Sequence, residues 1–137
     1  SDVQIGNAYQ RWMRYKEDIQ LLKDVGMNAY RFSVDWSKIE PQEGMFDHGA
    51  IQHYCDVVDE LLAQNITPMI TLLHHVCPSW FMQKDGFENK YNTFYFVRFA
   101  KYVFKHLHQK ISLWIIFNEP VAYAFEGYFL GKFGISR

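Results

Sequence analysis

The stretch LWIIFNEP, residues 113–120, sets the fold class of this chain. Five apolar residues are followed at once by Asn118 and Glu119, so a short buried segment ends in groups that can do chemistry. A continuous apolar run of this length is typical of a strand buried on both faces of a parallel sheet. Pro120 then fixes the backbone, and we expect a further helix to start after it.

The same alternation of strand and helix extends upstream from this stretch. The segments 28–34 (NAYRFSV) and 66–73 (ITPMITLL) are short and rich in aromatic or β-branched residues, which favours strands. Apolar residues at helical spacing predict helices over about residues 11–25 and 50–64, and another from residue 92 or 93. Gly26 and Asn65 are expected to end the first two of these helices.

Strands that alternate with helices predict βαβ units and a parallel sheet. The fold class is therefore α/β, and both a barrel and an open sheet satisfy the pattern. A chain of 137 residues without a linker or repeat forms one domain at most.

Composition excludes several classes of protein. The formal net charge is -1 with no basic stripe, so no nucleic-acid partner is expected. No apolar run approaches the roughly 20 residues that cross a membrane, so no membrane association is expected. Cys55 and Cys77 are too few for a disulfide framework and are typical of reduced thiols, which favours a cytoplasmic location.

Polar side chains follow each predicted strand where the strand stops. Arg31 and Ser33 close the first strand, His74 and His75 follow the second, and Asn118-Glu119 follows the third. In parallel α/β folds the groups that do chemistry gather at these carboxyl ends. The pattern predicts a site at this edge of the sheet.

Glu119 is the strongest candidate for chemistry. A carboxyl group at the end of so apolar a strand is expected to be partly desolvated, as suits a general acid. The alternative is that Glu119 merely caps the following helix, because carboxylates favour helix N-termini. The neighbouring Asn118 amide can donate to a ligand oxygen.

Four segments together resemble family 1 glycoside hydrolases. Phe117-Asn118-Glu119-Pro120 is similar to the family's Thr-Phe-Asn-Glu-Pro signature, although Asn-Glu-Pro alone is shared by several related barrel glycosidases. Gly127 and Tyr128, followed by Gly131, match the segment after that signature. The other similar segments, in the family's order, are residues 15–23 (the first helix), 30–39 (YRFSVDWSKI) and 68–74 (PMITLLH).

The resemblance implies a partial (β/α)8 TIM barrel with three parallel strands that alternate with helices. Residues 1–137 would be a fragment of a single glycosidase catalytic barrel, covering roughly its second to fourth strands. A complete barrel takes about 250 residues. The family's first strand, and its late Glu-Asn-Gly segment with the nucleophile, have no counterpart here, so we expect the natural N-terminus to be missing and the isolated chain to be inactive.

The resemblance also implies roles for individual residues in a retaining β-glycosidase. Glu119 would be the general acid/base, and Asn118 would bind the sugar 2-hydroxyl. His74 would bind other sugar hydroxyls, the alternative being a satisfied buried histidine. Arg31 would hold the nucleophile ionised, the alternative being a structural salt bridge. The substrate would be a small β-glycoside or oligosaccharide, with no metal or organic cofactor and no oligomeric state implied.

Several conspicuous residues have simpler interpretations. His75 stands where the family usually has tryptophan, which indicates a divergent branch. His74 and His75 are not expected to bind a metal, because adjacent strand residues point to opposite faces and no third ligand is suitably spaced. The remaining interpretations are that Trp36 and Trp114 lie in the core, that Trp80 lies at the rim, and that Asp35, Glu40 and Glu88 make ordinary surface or loop contacts.

The competing hypothesis is a non-catalytic remnant of the same family that acts as a carbohydrate-binding or interaction module. Such a module would have to protect the open edges of a three-stranded sheet, which solitary sheets do poorly. A soluble, cooperatively folded monomer would favour the module, and aggregation of the isolated chain would favour the fragment.

Overall fold

A computed structural model describes residues 12–129 of the chain, without the side chains of residues 128 and 129. Its strands and helices alternate as the sequence predicts, and the third strand has the predicted bounds. The elements in chain order are α1 Tyr15–Asp24, β1 Ala29–Ser33, α2 Trp36–Ile39, α3 His48–Ala63, β2 Thr67–Leu73, α4 Ser79–Met82, the 3₁₀ turns Gly86–Glu88 and Lys90–Asn92, α5 Thr93–Leu107, β3 Leu113–Phe117, α6 Pro120–Ala124 and the π-helical turn Phe125–Phe129. Gly131 of the family-like segment lies outside the described residues.

Helices α1 and α3 end in the same way, as predicted from Gly26 and Asn65. Both residues have left-handed backbones, with φ of 80° and 58°. After α1, Met27 N–H donates to the Leu22 carbonyl at 3.0 Å, and after α3, Ile66 N–H donates to the Leu61 carbonyl at 2.9 Å. These are the reversed hydrogen bonds of a Schellman motif, and in both cases the chain turns directly into the next strand.

The three strands form one parallel sheet in the order β1-β2-β3. Helices cover the sheet face that carries Phe32 and Trp114, which contact Tyr54 of α3 and Phe104 of α5 at ring-centroid distances of 6.3 and 5.4 Å. Because strand residues alternate between faces, Arg31 and Ser33 lie on the opposite face. Because the strands are parallel, their carboxyl ends lie at one edge of the sheet.

The core is rich in aromatic residues and lies between the sheet and helices α2, α3, α4 and α5. Trp36, Phe81 and Phe99 are fully buried, and the rings of Trp36 and Phe99 stack at 5.0 Å. The prediction that Trp36 lies in the core is confirmed. Trp114 packs at the edge of the same cluster and donates from its indole N–H to the Ile111 carbonyl at 3.1 Å.

Strand β3 is less buried than predicted. Leu113 is 43% exposed and Ile116 is 57% exposed, so the expectation of burial on both faces is wrong for the described residues. The physical reason is position, because β3 pairs only with β2 in the described sheet. An apolar groove of 580 Å³ remains open between α5 and β3, lined by Leu72, Phe96, Val97, Ala100, Phe104, Trp114 and Ile116 together with Lys101, Lys105 and His108.

The prediction that Glu40 makes an ordinary surface or loop contact is also wrong, because its side chain is fully buried. Trp36 Nε1 and the Gly44 N–H each donate to its carboxylate at 2.8 Å, and Arg98 forms an ion pair with it. Trp80 lies in helix α4 instead of a loop and is half-buried, and its indole N–H donates to the Glu40 carbonyl at 3.0 Å.

Candidate active site at the carboxyl ends of the strands

The ends of β2 and β3 are joined directly. Asn118 N–H donates to the Leu73 carbonyl at 2.8 Å, which continues the parallel ladder by one step beyond the strands. This bond places the buried Asn118 beside the exposed His74, and Asn118 Nδ2 lies 3.3 Å from His74 Nε2. The structure therefore brings together two of the residues that the sequence predicts for the site.

His75 turns back toward the same point. Its backbone is left-handed, with φ of 64°, and its Nε2 lies 3.2 Å from the Asn118 carbonyl oxygen. The rings of His74 and His75 are in edge contact at 5.1 Å. The expectation that these rings point to opposite faces is wrong, because both residues follow β2 and the left-handed turn breaks the strand alternation.

Glu119 also has a left-handed backbone, with φ of 43° and ψ of 61°. It occupies the position before α6, where Pro120 begins the helix, and its carbonyl accepts from the Tyr123 N–H at 3.0 Å. Its side chain makes no capping hydrogen bond, so the structure does not support the helix-cap interpretation. The side chain is exposed instead of partly desolvated as expected, because β3 lies at the edge of the described sheet.

Arg31 lies apart from these groups. It is in register with Met69, and Leu73 is four residues further along β2, about 13 Å at the usual rise per residue. Of the two residues predicted at the end of this strand, Ser33 is its last residue and Arg31 lies two residues earlier. Within residues 12–129 the exposed Arg31 guanidinium makes no ion pair or side-chain hydrogen bond, so the salt-bridge interpretation has no partner there.

Sequence reasoning missed Tyr123 and Cys77, which contact each other next to the site. Tyr123 is buried one helical turn after Glu119, and its ring contacts Phe117 at 5.2 Å. Burial raises the pKa of the Cys77 thiol to about 12, although a hydrogen bond with Tyr123 opposes the rise. The four-residue spacing from Glu119 to Tyr123, one helical turn, is the sequence signal that could have identified Tyr123.

The described residues were searched for metal-binding groups and for membrane-spanning helices. Among residues 12–129, no three His, Cys, Asp or Glu side chains are grouped to hold a metal ion. In the same range, no helix is both long and apolar enough to cross a membrane.

Comparison with known proteins gives a consistent match. The family model described as glycosyl hydrolase family 1 matches residues 2–136. Beta-glucosidase 12 of Oryza sativa subsp. indica is 37% identical over 133 residues, which are 90% of this chain and 25% of that protein. The 6-phospho-beta-galactosidase of Clostridium acetobutylicum is 36% identical over 121 residues, which are 88% of this chain and 26% of that protein.

A solved structure shows the same fold. The beta-glucosidase from Thermotoga maritima in complex with castanospermine superposes with a TM-score of 0.86 at 31% identity, covering 88% of this chain and 28% of that one. The three strands and their helices are therefore part of a TIM barrel. The chain spans about a quarter of the length of the curated relatives it matches.

Proposed function

This chain belongs to glycosyl hydrolase family 1, and we propose that it carries the acid/base part of a retaining β-glycosidase active site. Residues 1–137 would belong to a single catalytic barrel. The observation that carries the proposal is the meeting of His74, Asn118 and Glu119 where β2 and β3 end. An acid and two hydrogen-bonding side chains at the carboxyl ends of barrel strands are part of what sugar cleavage by a retaining glycosidase requires.

Glu119 is the proposed general acid/base. It would protonate the glycosidic oxygen as the aglycone leaves, and then take a proton from the water that attacks the glycosyl-enzyme. Two features support this role. The exposed carboxylate is accessible to a substrate at the strand ends, and its side chain is not used to cap α6.

Asn118 and His74 are the proposed sugar ligands. The Asn118 amide has two N–H groups, one of which lies toward His74 Nε2, so the other can donate to the sugar 2-hydroxyl. His74 Nε2 accepts from that amide, which leaves the Nδ1–H of His74 to donate to another sugar hydroxyl. Burial of Asn118 and its backbone bond to Leu73 hold the pair in place before substrate arrives.

Arg31 is proposed to act on the nucleophile. A cation near a carboxylate favours its ionised form. The guanidinium lies on the sheet face away from the helices and makes no ion pair with the other described residues, which supports this role over a structural one.

The proposed substrate is a small β-glycoside or oligosaccharide. The names of the relatives include a beta-glucosidase and a 6-phospho-beta-galactosidase, which supports a β-linked sugar of this type. Two carboxylates suffice for this chemistry, so the proposal includes no metal or organic cofactor.

We further propose that the 137 residues alone do not hydrolyse a glycoside. A retaining mechanism needs a second carboxylate about 5 Å from the first. The carboxylates that follow β1 have other functions, because Asp35 accepts from the Ser37 N–H at the start of α2 and Glu40 is buried with Arg98.

Replacing Glu119 by Gln in the native polypeptide tests the proposal. We expect the variant to lose at least about 100-fold in kcat on an alkyl β-glucoside, whose poor leaving group needs a proton. Azide, which attacks without a general base, should speed turnover of a dinitrophenyl glucoside and yield a β-glycosyl azide. The exposed Glu88 provides the control, and Glu88→Gln should retain full activity. Unchanged turnover in Glu119→Gln would reject the proposal.

A further inference from the structure

The peptide between Asn118 and Glu119 connects two different backbone conformations. Asn118 directly follows β3 and continues its hydrogen bonding to β2 by one step, whereas Glu119 is left-handed with φ of 43°. A residue with a Cβ atom is disfavoured there and stays only when its surroundings hold it. The contacts to this peptide therefore determine where the Glu119 carboxylate lies.

Hydrogen bonds hold this peptide and the peptide on either side of it. On the side of β2, the Asn118 N–H donates to the Leu73 carbonyl at 2.8 Å. Behind it, the Glu119 carbonyl accepts from the Tyr123 N–H at 3.0 Å. The carbonyl oxygen of Asn118, which sets the plane of the peptide, lies 3.2 Å from His75 Nε2.

The His75 ring is itself held in place. It lies in edge contact with His74 at 5.1 Å and beside the buried Tyr123 ring at 5.8 Å. The left-handed backbone of His75, with φ of 64°, turns the ring toward β3. The ring thus fills the space between the proposed sugar ligand His74 and the helix that follows Glu119.

The contacts assign a protonation pattern to the two histidines. A carbonyl oxygen only accepts, so His75 Nε2 must carry a hydrogen. His74 Nε2 lies 3.3 Å from Asn118 Nδ2, which donates, so the neutral His74 ring carries its hydrogen on Nδ1. Adjacent histidines in opposite tautomers therefore bind the backbone and the side chain of one residue.

We propose that His75 is a positioning residue for the acid/base: its Nε2–H fixes the Asn118–Glu119 peptide and thereby the Glu119 carboxylate. This inference rests on the proposed function of Glu119. Loss of the bond frees the peptide plane, while the backbone bond to Leu73 still anchors Asn118. Proton transfer should therefore suffer more than sugar binding, because the reaction depends on the placement of the acid within about 1 Å.

The experiment compares His75→Phe and His75→Gln in the native polypeptide. Phenylalanine keeps a ring beside Tyr123 without the donor, and glutamine places an amide N–H near the position of Nε2. For His75→Phe we expect kcat on an alkyl β-glucoside to fall by roughly 10- to 100-fold with KM changed less than about threefold. Glutamine should restore most of kcat, and the control His106→Phe, on the exposed face of α5, should change neither constant.

Leaving-group dependence distinguishes positioning from simple structural damage. On a dinitrophenyl glucoside, the rate constant of the glycosylation step should be nearly the same in His75→Phe as in the wild type. The dinitrophenolate leaves without protonation, so this step needs little help from the acid. An equal loss on both substrates, or full activity of His75→Phe, would overturn the inference while Glu119→Gln remained inactive. Full activity of Glu119→Gln would instead reject the proposed function, and this inference with it.

A measurement on the unmodified polypeptide guards against a variant that does not fold. The ¹⁵N chemical shifts of selectively labelled histidines distinguish the two neutral tautomers. We expect His75 to have its hydrogen on Nε2 and His74 to have its hydrogen on Nδ1. A His75 ring with a bare Nε2 would overturn the inference.

Discussion

Glu119 carries backbone strain that its neighbours in sequence do not explain. Four described residues other than glycine have a positive φ, namely Asn65, His75, Asp85 and Glu119. Asparagine and aspartate accept this conformation because their short side chains bond locally, whereas glutamate has no such advantage. Strain at one carboxylate, beside His74 and Asn118, is typical of a functional position.

Cys77 gives a prediction about stability at high pH. Burial raises the pKa of its thiol from the ordinary value near 9 to about 12, so the folded state holds the proton more tightly than the unfolded state. This contribution is fully present below pH 9 and is lost as the pH rises toward 12. The free energy of unfolding of the native polypeptide should fall less steeply with pH in Cys77→Ala, as urea titrations between pH 8 and 11 would measure.

Iodoacetamide labelling provides an independent check, because the thiolate is the reacting form. Cys77 should react more slowly at pH 8 than a free cysteine peptide. Equal rates, together with identical pH slopes in the wild type and Cys77→Ala, would contradict the assigned environment.

At the scale of single residues, the sequence predicts which side chains meet at the carboxyl ends of the strands. His74 and Asn118 meet because the carboxyl ends of adjacent parallel strands meet. The burial of Glu40 was not predictable, since its ion-pair partner Arg98 is 58 residues away and neither residue type indicates burial. The alternation of strand residues does not apply to His74 and His75, because both follow Leu73, the last residue of β2.

At the scale of elements, local signals determine where helices begin and end. Asp47 begins α3 by accepting from the Ala50 N–H at 2.9 Å, and Asn65 ends it in a left-handed turn. These features depend on a few neighbouring residues, so the sequence contains them. The exposure of β3 depends on which elements flank it, and an apolar run alone does not indicate that.

Arg98 belongs to a contact that joins three helices, so its replacement should lower the free energy of unfolding. Its ion pair with the fully buried Glu40 joins α5 to α2, and the Trp80 bond to the Glu40 carbonyl adds α4. Arg98→Met would leave a buried carboxylate without its cation, so we expect a loss of roughly 3 kcal/mol in the free energy of unfolding. Urea unfolding of the native polypeptide would measure this loss.

The exposed pair Lys110–Asp59, at 2.7 Å, is the matched control. Lys110→Met should cost less than about 1 kcal/mol, because water screens a surface pair. Equal losses in the two variants would contradict a special role for the buried pair.

At the scale of the whole molecule, the described sheet has two free edges. β1 and β3 each pair only with β2, and the groove between α5 and β3 exposes apolar side chains such as Ile116 and Phe104. Free edges and large apolar patches favour association of chains.

A polypeptide limited to these 137 residues should therefore behave poorly in solution. We expect it to bind the dye ANS strongly, to unfold without a sharp transition and to associate as its concentration rises. Fluorescence titration and sedimentation would measure these properties. A dye-free monomer with a cooperative transition would contradict the expectation and favour the non-catalytic module.

The order of the strands has a consequence for biosynthesis. β2 pairs with β1 and β3 pairs with β2, so each of the two pairs joins strands that have no other strand between them in the chain. Pairing between neighbours in sequence closes short loops, which lowers the entropic barrier to folding. As the ribosome releases β2, its partner β1 is already outside the exit tunnel, and β3 finds β2 in the same way. The sheet can thus grow one strand at a time, at the pace of translation.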